Sequence, residues 1–381
     1  MPSITDIVEG RGICICAGSG GVGKTTTSAA MAAGLAVRGQ KVCVLTIDPA
    51  KRLADSLGLK ELENTPRKVD ASLFESSGVE MKGELWAMQL DAKATFDELV
   101  RKHAPDAETR DRILENQIYR QLSNALAGSQ EYMAMEKLFE IHQEGRYDFL
   151  VLDTPPSRNA LDFLDAPKRL TQFIEGRGMQ MFIKPTGLAA RVVGRGSSMA
   201  FGVLKRVTGL DLLTDLSEFF QAFSGMVDGF RERAKRVSEL LADPATTFVV
   251  VCGPQGEPIT EAVYFHRKLV EAQLPVGGVI VNKVHYEANG EAEGEAESDL
   301  HDLLDDDLAE RVAKNFADYQ ALAQRDARNV EHLQRELQPK AVIRVPYLDE
   351  DVHDLEALLK IDRYLFASEE QREELAASGA A

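Results

Sequence analysis

Residues 14–35 read CICAGSGGVGKTTTSAAMAAGL, and this stretch decides how the rest of the chain is read. Within it Gly18-Ser19-Gly20-Gly21-Val22-Gly23-Lys24-Thr25 satisfies the spacing G-x-x-x-x-G-K-[ST]. An apolar run, GICICA at residues 12–17, precedes the loop, and a Thr- and Ala-rich helical pattern follows it. That context is the one the spacing requires. Glycines let successive backbone N–H groups curl round phosphate oxygens, the lysine reaches the β- and γ-phosphates, and the hydroxyl ligates Mg²⁺. Gly18 to Thr26 are therefore the expected phosphate-binding residues, with Lys24 acting in catalysis and Thr25 as a metal ligand.

Six further β-branched or apolar runs follow between helical patterns: KVCVLTI, ELWAMQL, YDFLVLD, TTFVVVC, GGVIVN and KAVIRVP. Near-continuous apolarity of this kind suits strands buried on both faces, as in a parallel sheet flanked by helices. The expected fold class is α/β, a doubly wound, mostly parallel sheet around a P-loop NTPase core. KVCVLTI runs into Asp48, and a carboxylate at that strand end is placed to orient an attacking water, with Asp55 a weaker candidate. YDFLVLD closes on Asp153, the position from which a carboxylate holds Mg²⁺ directly or through water.

The chain has 381 residues and a formal net charge of −17, which argues against nonspecific binding to nucleic acid. No apolar run is long enough to span a bilayer, and MPSITDIVEGRG has neither a basic start nor an apolar core, so no signal peptide or integral membrane segment is expected. A cytoplasmic location follows. Cys14, Cys16, Cys43 and Cys252 all fall in apolar runs without a C-x-x-C pair, and are read as buried structural thiols. Trp86, the single tryptophan, is expected in the core.

Two stretches interrupt the strand-helix alternation. Residues 92–145 read as helices, with Tyr132, Met135, Leu138 and Phe139 on one face and Ser129 as N-cap. Residues 168–240 hold twelve Lys and Arg against seven Asp and Glu, with four of the ten methionines. Together they are expected to form a helical subdomain inserted in a single domain spanning 1–381. The basic, Met-containing stretch reads either as a surface for an apolar helix or membrane face, or as an ordinary subdomain whose methionines fill its own core. Eleven acidic residues and no Lys or Arg lie between Glu287 and Glu310, so residues 287–299 read as a solvated acidic loop. Residues 369–381, EEQREELAASGAA, read as a fraying helix and flexible tail.

Taken together, GSGGVGKTTTSAA, DPAKRLADSLGL, GSQEYMAMEKL, DTPPSRNALDFLDAPKRL and VIVNK resemble the ArsA-like ATPases. That family includes the arsenite-pump ATPase and the ATPase that targets tail-anchored membrane proteins, and the similarity spans roughly residues 12 to 365. The resemblance implies an ATP-dependent dimer or pseudodimer with nucleotide between two halves. Lys24 and Thr25 would bind phosphate and Mg²⁺, Asp48 would polarise water, and Asp153 would sit near the metal. Asn282 matches the residue that reads adenine, and Glu257 and Pro346 fall near family nucleotide contacts. The helical stretch 168–240 would match the subdomain that, in the targeting ATPase, forms a groove for a client's transmembrane helix.

Three features depart from that family. The loop carries Ser19 where the family has a lysine that reaches the partner's nucleotide. Slow hydrolysis, a substitute Arg or Lys, or a heterodimer with a lysine-bearing paralogue would each account for it. There is no C-x-x-C zinc pair and no exposed cysteine trio for As(III), so arsenite binding is not expected. Residues 157–162 read SRNALD in place of a Gly-His-Thr run. The leading expectation is an Mg-dependent ATPase that opens and closes a helical client-binding surface. The alternatives are a hydrolysis-poor subunit of a heteromer, acting as a structural or regulatory half, and a partition or division-site ATPase, which the 168–240 insert disfavours.

Overall fold

The computed structural model describes residues 3–48, 50–116, 119, 130–155, 219, 222, 225–287, 304–337, 341–348 and 351–378. Ser129, residues 157–162, most of 168–240 and all but Glu287 of the acidic loop 287–299 lie outside them. Contacts divide the chain into two units. One comprises Met1–Gln89, Gly145–Ala160 and Ala242–Ala381, and the other Leu90–Glu144 and Leu161–Leu241.

The first unit is built on an eight-stranded sheet. Its strands are β1 (Ile13–Ala17), β2 (Lys41–Thr46), β3 (Arg67–Lys68), β4 (Glu84–Gln89), β5 (Phe149–Asp153), β6 (Thr246–Cys252), β7 (Val276–Val284) and β8 (Ala341–Pro346). Their order across the sheet is β3-β4-β2-β5-β1-β6-β7-β8. All seven runs read from the sequence are strands, and all pair in parallel. The two-residue β3, too short for periodicity to reveal, adds an antiparallel edge.

Helices cover both faces, as the two-sided apolarity of the strands demands. α1 (Ile4–Val8), α2 (Lys24–Val37), α3 (Arg52–Ser56) and α4 (Ala71–Ser76) come from the N-terminal third of the chain. Cys14, Cys16, Val42, Val44, Val151 and Val249 share one buried cluster with the Ala-rich face of α2. α1 belongs to the same cluster. Cys14, Cys16, Cys43 and Cys252 are all buried and none is in a disulfide, and burial pushes the Cys252 thiol up to about 12. Trp86 departs from the core expectation. It is half-buried near the sheet edge, with the Arg146 guanidinium 4.2 Å from its ring centre.

In the second unit are α5 (Ala92–His103), α6 (Ala107–Glu115), α7 (Gln130–Glu144) and most of α8 (Val227–Ala242). Asp91 and Asp106 cap α5 and α6 by accepting from Ala94 and Thr109 N–H groups. Sequence periodicity gave α7 a single buried face, yet every residue from Tyr132 to Phe139 is buried. Two are charged. Arg233 on α8 places Nε and an Nη at 2.9 and 2.7 Å from Glu136, and the Tyr132 hydroxyl donates to the other carboxylate oxygen.

The chain returns to the sheet through α9 (Gly256–Glu271), α10 (Asp306–Leu337), α11 (Leu355–Phe366) and α12 (Glu369–Ala377). The helix read at the start of the C-terminal segment is α12. Ser368 and Gln371 make a capping box there, and Arg372 is buried against the carbonyl of Ala367.

α2 and α11 meet at Gly34, where an added Cβ would lie 1.9 Å from Asp362 Oδ1 and 2.4 Å from the Phe366 ring. Neither neighbour is at liberty to retreat, because Arg38 holds Asp362 at 2.8 Å and lies 3.6 Å from the centre of the Phe366 ring. Gly229, exposed on α8, has nothing within 4 Å of its Cβ position. Gly34→Ala is expected to lower the melting temperature, since overpacking costs about 1–3 kcal/mol. Gly229→Ala is expected to raise it by the gain of about 1 kcal/mol in helix propensity. Thermal unfolding of the two variants beside the parent checks the pair, and equal shifts would contradict the packing argument.

Candidate active site

The parallel strands end together on one edge of the sheet, and the connections after β1, β2, β5, β7 and β8 surround a cleft of about 300 Å³. Gly21, Gly23, Lys24, Thr25 and Thr26 line it from the loop after β1, Asp48 and Arg52 from beyond β2, and Thr154 from the end of β5. Asn282, Lys283, Pro346 and Tyr347 close the far side. This is the crevice outside the carboxyl ends of the strands where open α/β sheets bind ligands.

Loop geometry explains the glycines. Gly23 sits at φ +89° as N-cap of α2, and a Cβ there would come within 2.2 Å of Asn282 Nδ2. That amide donates 3.0 Å to the Val22 carbonyl, so Asn282, on β7, buttresses the loop from across the cleft. Val22 is itself buried, and Gly18, Ser19 and Gly20 form the approach to the turn. The N-terminus of α2, with its unpaired N–H groups and dipole, faces the cleft, an arrangement suited to an anion.

Lys24 is 6% exposed, and its ammonium donates to the Ser19 carbonyl at 2.6 Å. Burial lowers its pKa, while the charges of Asp153 and Asp48 oppose that shift. Thr25 Oγ1 donates to Asp153 Oδ2 at 2.7 Å, and Thr46 Oγ1, on β2, donates to the same oxygen at 2.8 Å. The second oxygen, Asp153 Oδ1, is buried with no hydrogen-bond partner among the described residues, as is Ser19 Oγ. Burial pushes the Asp153 carboxyl up to about 6, with the two threonine hydrogen bonds and the Lys24 charge acting the other way.

An orphaned carboxylate oxygen beside a threonine hydroxyl, at the foot of a glycine loop, fits a hard divalent cation held by oxygen ligands. Thr25 and Asp153 would hold Mg²⁺, and Lys24 the phosphates. Asp48 occupies the same cleft. Its Oδ1 accepts the Ala50 N–H at 2.9 Å, and its carbonyl accepts from Gln89, which fixes the turn that presents it.

Not every expected residue converges. Pro346 and Asn282 line the cleft, whereas Glu257 is exposed in the first turn of α9 and Asp55 is exposed on α3, and neither is among the lining residues. Sequence reading missed Thr46, Arg52 and Tyr347. Tyr347 is 54% exposed and stacks on His285 with ring centres 5.3 Å apart and planes 11° from parallel. His285 is in turn held by the fully buried Asp326 of α10, at 2.7 Å from Nδ1. At the sequence level the one available signal was the adjacency of Tyr347 to Pro346.

Residues 12–319 match the family of anion-transporting ATPases, which is most of the chain. The protein belongs to that family. It is accordingly an ATP-binding P-loop hydrolase. It is 25% identical over 289 residues to ATPase ARSA2 of Chlamydomonas reinhardtii, covering 74% of this chain and 71% of that one. ATPase GET3A of Arabidopsis thaliana is 26% identical over 274 residues, covering 71% of this chain and 66% of the relative. A protein named as an arsenical pump-driving ATPase in Aquifex aeolicus is 25% identical over 363 residues, covering 94% and 79%. Among the described residues no helix is long and apolar enough to cross a membrane, and no cluster of His, Cys, Asp and Glu could hold a metal by itself.

The raised Asp153 pKa has a sign that can be checked in the ATPase. Below pH 4 the carboxyl is protonated in both folded and unfolded chains. Between about 4 and 6 the folded form keeps a proton that the unfolded chain has released, so this group's contribution to stability falls as pH rises. Above that window the shift from 3.8 to about 6 corresponds to a cost of about 3 kcal/mol. Asp153→Asn, melted in EDTA, is expected to exceed the parent in stability at pH 8 and to match it near pH 4. Mg·ATP should then stabilise the parent and leave the variant nearly unmoved.

Proposed function

We propose that this ATPase hydrolyses Mg·ATP in the cleft at a face between two copies or paralogous chains, and that hydrolysis opens and closes a client-binding surface on the helical unit. The observation that carries the reading is the gathering of Lys24, Thr25 and Asp48 in one cleft, with Asp153 hydrogen-bonded to Thr25 beneath it. Lys24 exchanges its Ser19 carbonyl for phosphate oxygens, Asp48 orients the attacking water, and the loop N–H groups hold the β-phosphate. Mg²⁺, when bound, supplies charge that offsets the phosphate oxygens. Asn282 and Pro346 flank the nucleobase, with the Tyr347–His285 pair offering it a stacking surface.

For the client, the support is the family membership, the relative named GET3A, and the basic, Met-containing character of residues 168–240. An apolar helix or a membrane-associated protein is the class of client that such a surface takes. The client, the dimer and a cytoplasmic site of action form one reading. Ser19 favours a second one, in which the chain binds nucleotide but hydrolyses poorly until a lysine-bearing paralogue joins it.

Steady-state hydrolysis by the purified chain, with its oligomeric state measured in Mg·ATP, separates the two. Asp48→Asn is expected to lower kcat at least about 10²-fold with ATP binding retained, as loss of a water-positioning group does. An inactive parent that gains turnover only through Ser19→Lys or an added paralogue would sink the self-sufficient reading. Tyr347→Ala is expected to weaken ATP binding by about 1–3 kcal/mol, the usual worth of a base stacked on an aromatic ring, read by calorimetric titration.

A further inference from the structure

Phosphoryl transfer builds charge that a bound lysine and metal only partly offset, and enzymes of this class add a further cation, often an arginine from the same chain. The phosphate loop here offers none. Ser19 is neutral, Lys24 is the loop's one cation, and Asp48 and Asp153 contribute negative charge around it. Any second cation must come from another element.

Lys24 apart, Arg52 and Lys283 are the lysine or arginine side chains that line the cleft among the described residues. Lys283 follows Asn282 on β7, at the end assigned to the base. Arg52 lies four residues beyond Asp48, at the phosphate end. Its neighbour Lys51 is turned to Glu61 at 3.2 Å and is not a cleft residue, so of the adjacent pair only the arginine faces the site. The guanidinium makes no hydrogen bond or ion pair among the described residues, whereas its backbone is well anchored. Ser56 Oγ donates to the Arg52 carbonyl at 2.7 Å, and Leu53 and Ala54 beside it are buried. The charge of Arg52 is also felt at Lys24, whose protonation it disfavours.

We propose that Arg52 supplies, from within the same chain, the second cation for the transferred phosphoryl group. In the step, water forms a bond to the γ-phosphorus as the bond to the β–γ bridging oxygen breaks, giving ADP and inorganic phosphate, with the water proton passing to that phosphate. Arg52 makes and breaks no covalent bond. Its forked donors meet the equatorial oxygens, where an ammonium would act only as a point charge. This inference rests on the hydrolytic reading above and removes the need for a partner's lysine.

Arg52→Ala is expected to lower kcat by about 10³-fold, with the Kd for ATP within about threefold of the parent. Its affinity for ADP with aluminium fluoride, a transition-state mimic, should fall at least about 10²-fold, a reading that does not depend on turnover. Arg52→Gln keeps most of the stem without the charge and should show both defects at an unchanged melting temperature. Arg52→Lys should fall between, and Lys51→Ala should behave as the parent. An active parent beside an Arg52→Ala variant with parental kcat and parental affinity for the mimic overturns this inference alone. A parent that binds ATP but neither turns over nor takes the mimic overturns both this inference and the self-sufficient reading.

Discussion

Asp153 is the residue on which the cleft's arrangement turns. It is fully buried at the end of β5, and a carboxylate so placed is costly unless its oxygens are occupied. One oxygen is occupied twice, by Thr25 from the phosphate loop and Thr46 from β2. Those bonds tie together three elements that meet only because β5 lies between β1 and β2. The other oxygen is left open. The fold thus holds an unsatisfied buried acceptor at the site where a divalent cation would satisfy it, and the raised pKa records the same cost as a proton equilibrium.

Strand order explains why the remaining groups arrive together. The chain places β5 and β6 on either side of β1, so loops from distant parts of the sequence open toward the same side. Asn282, 260 residues from Val22, reaches its carbonyl because β7 ends level with the phosphate loop. Tyr347 continues from β8, its N–H bonded to the Val284 carbonyl at 2.9 Å, which brings its ring beside His285. Each half of the cleft is fixed by backbone pairing, which favours a pre-organised backbone frame for the cleft.

The helical unit is organised differently. Its α7 is buried along most of its length, with Glu136 and Arg233 paired among apolar and aromatic side chains. Removing one partner of such a pair leaves an isolated charge in a low dielectric, so breaking it is costly even though the intact pair itself contributes little beyond its desolvation cost. Phe96 stacks on Phe230 and Tyr119, with ring centres 5.8 and 5.9 Å apart, in the same unit.

The local motifs were legible because they obey short-range rules. The glycine loop requires backbone conformations open to glycine, and buried parallel strands require unbroken apolar runs, so the P-loop, seven strands and the doubly wound class could all be read directly from residue types and spacing. Asp48, Lys24, Thr25 and Asp153 were legible for the same reason, since each stands at a strand end or in the loop. Thr46 was not, because a threonine in a β-branched strand is unremarked until β5 is known to be its neighbour. Arg52 looked like one of two adjacent basic residues, and only the paired Lys51 shows which one faces the cleft. Glu136 read as one charge on an amphipathic helix, since its partner lies 97 residues away. Periodicity carries information over a few residues, whereas the choice of neighbours, and hence which charges are buried or aimed at a ligand, belongs to strand order and helix packing.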